Sequence, residues 1–131
     1  MNESDFQLFI REVEEYAMYS QDKDLLMMIV NDDHPKIASA AVFIRMPEVS
    51  AIVTDRFANS PHANLRERAA RREDLPIDVM WALCKDDDPK VRKALTYRKD
   101  LPMDIKVEMY YDNDQLVSKL ISYDLQGLSE F

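Results

Sequence analysis

Side chains able to bind a metal, attack a carbonyl or move a proton are few in this sequence, and their spacing suits none of those tasks. The two histidines, His34 and His62, lie far apart, each beside a proline. A zinc site needs ligands at short, convergent spacings such as His-x-x-x-His or a His-Glu pair, and neither histidine has them. Both read as loop histidines. Cys84 is the only cysteine, which excludes an intrachain disulfide and a cysteine-ligated zinc or iron–sulfur site and suits a reducing compartment. Set in Trp81-Ala82-Leu83-Cys84 beside core positions, it reads as a small buried hydrophobe, with a reactive thiol as the alternative. Asp86-Asp87-Asp88 offers carboxylates to a hard divalent cation, but its place between two helices suits capping of the helix that starts at Pro89. With Gly127 as the single glycine there is no glycine-rich phosphate loop, and no serine sits in a nucleophile elbow. The expectation is a protein that is not an enzyme, with no catalytic residue, no metal ligand and no cofactor.

What remains is recognition, and charge narrows it. The 131 residues are 47% hydrophobic, enough for one continuous core, and carry 25 acids against 17 Lys and Arg, a net charge of −8. Such a surface repels free nucleic acid and anionic membrane on average. Acid is uneven: residues 1–60 sum to −6, residues 61–100 to +2 and residues 101–131 to −4. The acidic start at Met1–Asp5 does not resemble a signal peptide, and no apolar run approaches the ~20 residues that span a bilayer, so the sequence reads as cytoplasmic with no membrane contact.

Six prolines divide the chain into elements. Pro35, Pro61 and Pro89 each follow a polar or acidic residue and read as helix starts, where proline loses no hydrogen bond and the residue before it caps. Pro47, Pro76 and Pro102 mark a second helix in each unit. A shift of 26 residues lays Leu65 to Pro76 over Val91 to Pro102 without a gap, and carries Val91, Leu95 and Tyr97 onto Val117, Ile121 and Tyr123. The expected organisation is a single domain over 1–131: a cap pair at 1–31, repeats at 32–58, 59–85 and 86–112, and a truncated repeat at 113–131. Apolar residues recur at helical spacing, as in Phe6, Phe9, Ile10, Val13, Tyr16 and Ala17, and strand signals are nearly absent. About nine short helices are expected, in pairs whose apolar faces must be buried by stacking on neighbours.

The run from Asp88-Pro89 through Val91-Arg92 to Asp100-Leu101-Pro102, closed by Asp112, resembles the leucine-rich repeat variant, a helical-repeat relative of the HEAT and armadillo solenoids. Residues 86–112 match its pattern well and residues 60–86 fairly. The resemblance implies an all-α fold, a right-handed solenoid of stacked helix pairs with one concave and one convex face, of a kind that mostly binds proteins. Some members carry an iron–sulfur cluster on a separate cysteine-rich segment; that segment is missing here, so the cluster is not carried over. In that family the arginine of the Val-Arg pair recurs, which implies a structural role for Arg66 and Arg92.

Counted from the second-helix proline, offsets three, four and seven read as core: Val79, Met80 and Leu83, then Ile105, Lys106 and Met109. Offsets two, five, six and nine read as outward, giving a candidate partner-binding face of Asp78, Trp81, Lys85, Asp104, Val107, Glu108 and Tyr111, with Ala82 beside them. Aromatics flanked by charge are common interface anchors; the alternative is that Trp81 and Val107 pack on each other between copies. A second cluster, Arg66, Arg68, Arg71, Arg72, Arg92, Lys93, Arg98 and Lys99, could track a phosphate backbone or form an internal ladder with the interleaved aspartates. The leading expectation is a protein-binding module whose acidic, aromatic face covers a basic partner. Small size, acidity and the lack of a catalytic set are similar to bacterial immunity proteins, including those of contact-dependent growth inhibition, which implies an antitoxin that masks a basic toxin domain such as a nuclease. A HEAT-like nucleic-acid binder and a scaffold or assembly adaptor are the alternatives.

Overall fold

The computed structural model describes residues 2–127. Nine α-helices and one 3-10 turn make up its regular structure, and there is no strand among the described residues. No described helix is long and apolar enough to cross a membrane. The chain divides into two compact units, Met1–Val53 and Thr54–Phe131.

The first unit holds α1 (Glu3–Tyr19), α2 (Lys23–Val30), α3 (Pro35–Ser39), the 3-10 turn Ala40–Phe43 and the start of α4 (Pro47–Ala58). Alpha1 packs on the 3-10 turn, and α2 packs on α3 and the same turn. The small side chains of Ala17, Ala40 and Ala41, all nearly inaccessible, accompany that close approach, with Ile10, Leu26, Ile29, Ile44, Val49 and Val53 also buried. Of the six apolar residues read along α1 only Ile10 and Ala17 are buried; Phe9 and Tyr16 are exposed. Helix α3 starts as its proline implies: Pro35 occupies the first turn and His34 caps it, its Nδ1 accepting from the Lys36 N–H. The His34 ring lies 4.9 Å from that of Phe6.

The second unit holds the end of α4, then α5 (Ala63–Ala70), α6 (Ile77–Leu83), α7 (Pro89–Leu95), α8 (Met103–Tyr110) and α9 (Gln115–Leu125). Alpha5 packs on α7 and α7 on α9, while α6 touches α5 and α7, and α8 lies along α9. The buried residues follow the 26-residue shift: Leu75 and Leu101, Leu83 and Met109, Val91 and Val117, then Ala69, Leu95 and Ile121. Ile105 is inaccessible to solvent, so Ile105→Ala should cost about 2–5 kcal/mol, read from the urea midpoint. A cost below about 1 kcal/mol would mean that the α8 core is loosely packed.

Pro61, Lys106 and Val79 depart from the local reading, while Pro76 and Pro102 mark the second helices as expected. Alpha5 begins at Ala63 with His62 in the cap position, so Pro61 lies ahead of the helix; the Ser60 hydroxyl accepts from the His62 N–H and closes a turn there instead of capping. Pro76 and Pro102 occupy the cap positions of α6 and α8 with extended backbone, one residue before the helices begin. Lys106 is half-buried, not core: its Nζ lies 2.6 Å from Asp124 Oδ2 of α9, an ionic contact at the edge of the core. Val79, also expected inside, is half-buried.

Candidate functional site

One turn recurs ahead of the helices. Asp32, Ser60, Asp86 and Asp112 each accept, through a side-chain oxygen, the N–H two residues on, and the residue reached is the cap of the next helix. In the second unit two of these turns also anchor an arginine from an earlier helix. Arg66 of α5 donates from Nε and Nη2 to the two carboxylate oxygens of Asp86 at 2.8 and 3.2 Å, and from Nη1 to the Ser60 carbonyl. Arg92 of α7 repeats this with Asp112 at 2.8 and 3.2 Å and with the Asp86 carbonyl at 2.6 Å.

A second pair of arginines is also engaged. Arg98 forks onto Asp100 and donates from Nη1 to the carbonyls of Ala70, the last residue of α5, and of Arg72 just beyond it. Arg72 donates to Thr54 Oγ1, which donates to Asp74; burial lowers the Arg72 guanidinium's pKa and the Asp74 charge offsets part of that. Five of the eight cations of the basic cluster, Arg66, Arg71, Arg72, Arg92 and Arg98, thus have a carboxylate at ion-pair distance.

These pairs set an acid limit. Burial works against the charged form of Asp86, but the hydrogen bonds from Arg66 and the Asp88 N–H outweigh it and hold the carboxyl below its ordinary range. Arg98 lowers Asp100 in the same direction, with less effect on stability because Asp100 is exposed. A carboxyl depressed in the folded state contributes stability above its unfolded pKa, near 4, and that contribution is lost as the pH falls through the depressed value. Unfolding free energy should therefore decline below about pH 4, and Asp86→Asn should flatten that decline while lowering stability at neutral pH. An unaltered acid limb in the variant would remove Asp86 from the account.

The sites considered for chemistry are structural in their contacts. Asp88 caps α7 through the Lys90 N–H, and Asp86 is engaged as described. Among the described residues no group of three His, Cys, Asp or Glu side chains is placed to hold a metal ion. Cys84 is buried, its thiol directed at the Trp81 carbonyl, and burial together with the Glu108 charge pushes its pKa up, away from the reactive thiolate.

Several helices expose apolar side chains, among them α1 at Leu8, Phe9, Tyr16 and Tyr19, and helix α8 gathers its own on one side. Its inner side supplies Ile105 and Met109 to the core, yet Met103, Val107 and Tyr110 on its other side and Tyr111 at its C-terminal cap are 61%, 48%, 44% and 79% exposed. Positions 103, 107 and 110 fall at i, i+4 and i+7, so they line one stripe, and the rings of Tyr110 and Tyr111 meet edge to face at 5.1 Å. A surface helix ordinarily turns polar residues to that side. Alpha6 shows the same feature, with Ile77 exposed and Trp81 half-buried under the Lys85 ammonium, 5.8 Å from the ring centroid. Asp78, Lys85, Asp104 and Glu108 are exposed around these apolar groups.

Six of the seven residues expected to face outward do so, and Trp81 does so in part. The reading by offset missed Ile77, Met103 and Tyr110. With the prolines in cap positions, offset one is the first helical residue, and the repetition of an apolar residue there in both copies was the available signal. No protein-family model matches the chain, and neither a curated protein nor a solved structure matches it.

Proposed function

We propose that this chain is a non-enzymatic binding module that docks a basic protein partner on the surface of α6 and α8, and that the helix pairs of residues 59–112 are units of a helical-repeat stack of the leucine-rich repeat variant or HEAT type. The observation that carries the reading is the outward stripe of α8, apolar at Met103, Val107 and Tyr110 and edged by Asp104 and Glu108. Exposed apolar side chains gathered on one face mark interaction sites, and carboxylates beside them speed encounter with a cationic partner. The repeat reading is supported by the Arg66–Asp86 and Arg92–Asp112 contacts, the same clasp one shift apart.

The specific form of the proposal is an immunity protein that masks a nuclease toxin. A nuclease binds phosphates and so presents a basic cleft, to which an acidic, aromatic face is complementary. The test is co-purification from cells carrying the neighbouring reading frames, with Trp81→Ala and Asp104→Lys in parallel and an activity assay on whatever is captured. The expected result is a captured basic protein, inhibited while bound, whose recovery falls in both variants. Capture unaffected by either substitution removes the face, and capture without inhibition makes the protein an adaptor.

A further inference from the structure

The internal repeat separates what the fold needs from what it does not. Under the 26-residue shift Arg66 falls on Arg92, Arg72 on Arg98 and Asp74 on Asp100, and each of these arginines is held by a carboxylate or a buried hydroxyl. The cations that do not repeat behave differently. Arg68, Lys93 and Lys99 fall on residues of other charge or none in the other copy, and have no carboxylate at ion-pair distance among the described residues. Arg71 pairs, among the described residues, with Glu67 one turn back and keeps 62% of its side chain exposed.

Arg71, Tyr97 and Lys99 line one open groove of about 540 Å³ at the ends of α5 and α7, with Ala94 and Glu73 beside them. Tyr97 is 43% exposed and Ala94 is buried, so the groove offers apolar surface beside two exposed cations. We propose that this groove is a second binding site, for a short acidic peptide segment carrying an apolar side chain between its carboxylates. Lys99 and Arg71 supply the charge, and the Tyr97 ring takes the apolar side chain. A nucleic acid suits it less. Glu73 and Asp100 stand in the same groove and would meet a continuous run of phosphates, and Arg98, the third cation there, is committed to Asp100 and to backbone carbonyls.

The experiment is selection from a displayed random dodecapeptide library on the immobilised protein, followed by fluorescence anisotropy of the recovered peptides on the wild type, Lys99→Glu, Arg71→Glu and Asp104→Lys. Lys99 and Arg71 are exposed, and circular dichroism checks that their variants fold. Selection should yield peptides with acids flanking an aromatic or aliphatic residue, whose affinity falls at least about tenfold in Lys99→Glu and in Arg71→Glu. Asp104→Lys should leave it unchanged, which separates this groove from the α6–α8 surface. Recovery of no peptides, of neutral or basic peptides, or of peptides indifferent to both groove variants overturns the proposal. So does tighter, steeply salt-dependent binding of a labelled single-stranded oligonucleotide to the same residues.

Discussion

Arg92→Ala should lower the unfolding free energy by about 3–5 kcal/mol, a large share of the 5–15 kcal/mol typical of a whole domain. The Arg92 and Asp112 side chains are 11% and 6% exposed, so deletion of the guanidinium leaves a carboxylate that water cannot resolvate without opening the turn. It also removes a donor from the Asp86 carbonyl and from Asn113. Lysine cannot replace the fork, because one ammonium does not span two carboxylate oxygens and a carbonyl, so Arg92→Lys should recover only part of the loss. Replacing both partners by apolar residues of similar volume should recover most of it, since the cost is that of an orphaned charge. Arg71→Ala, which breaks an exposed pair one helical turn apart, should stay within about 0.5 kcal/mol of wild type. Urea denaturation of the four variants separates these outcomes, and an Arg92→Ala midpoint equal to that of Arg71→Ala would reduce the clasp to a surface contact.

The second large effect falls on binding. Tyr111→Ala and Val107→Asp should each weaken a captured partner by about 2 kcal/mol or more, roughly 30-fold in Kd, because anchors of an interface are the aromatic and aliphatic groups that it desolvates. Both side chains are exposed, so neither change should move the urea midpoint appreciably. Asp104→Lys should act mainly on the association rate and on its salt dependence. Losses confined to the charge variant would describe a loose electrostatic encounter instead of a docked face.

The helices were legible because proline, capping residues and apolar spacing all act locally. The 26-residue shift was legible because the same clasp is built twice, and identical contacts demand identical residues at 66 and 92 and acids at 86 and 112. What the sequence hid depends on partners distant along the chain. Lys106 occupies a core offset yet reaches Asp124 on the next helix, which no local pattern announces. Pro61 looks like another helix start, but under the 26-residue shift it aligns with Asp87: it lies inside the turn that Ser60 closes, and α5 begins at Ala63, in register with Pro89 of α7. The eight-cation cluster looked uniform, and only the carboxylate partners single out the arginines that fasten helices from the rest, of which Arg71 and Lys99 line a groove. The division of the chain into two compact units has no counterpart in composition, since it falls inside α4.

Hydrogen–deuterium exchange of the protein with and without its captured partner tests the docking surface most directly. Slowed exchange should concentrate in segments 77–85 and 103–111, with α1 and the α5–α7 groove exchanging as in the free protein. Slowing that leaves α6 and α8 unchanged, wherever else it falls, contradicts the assignment of that face.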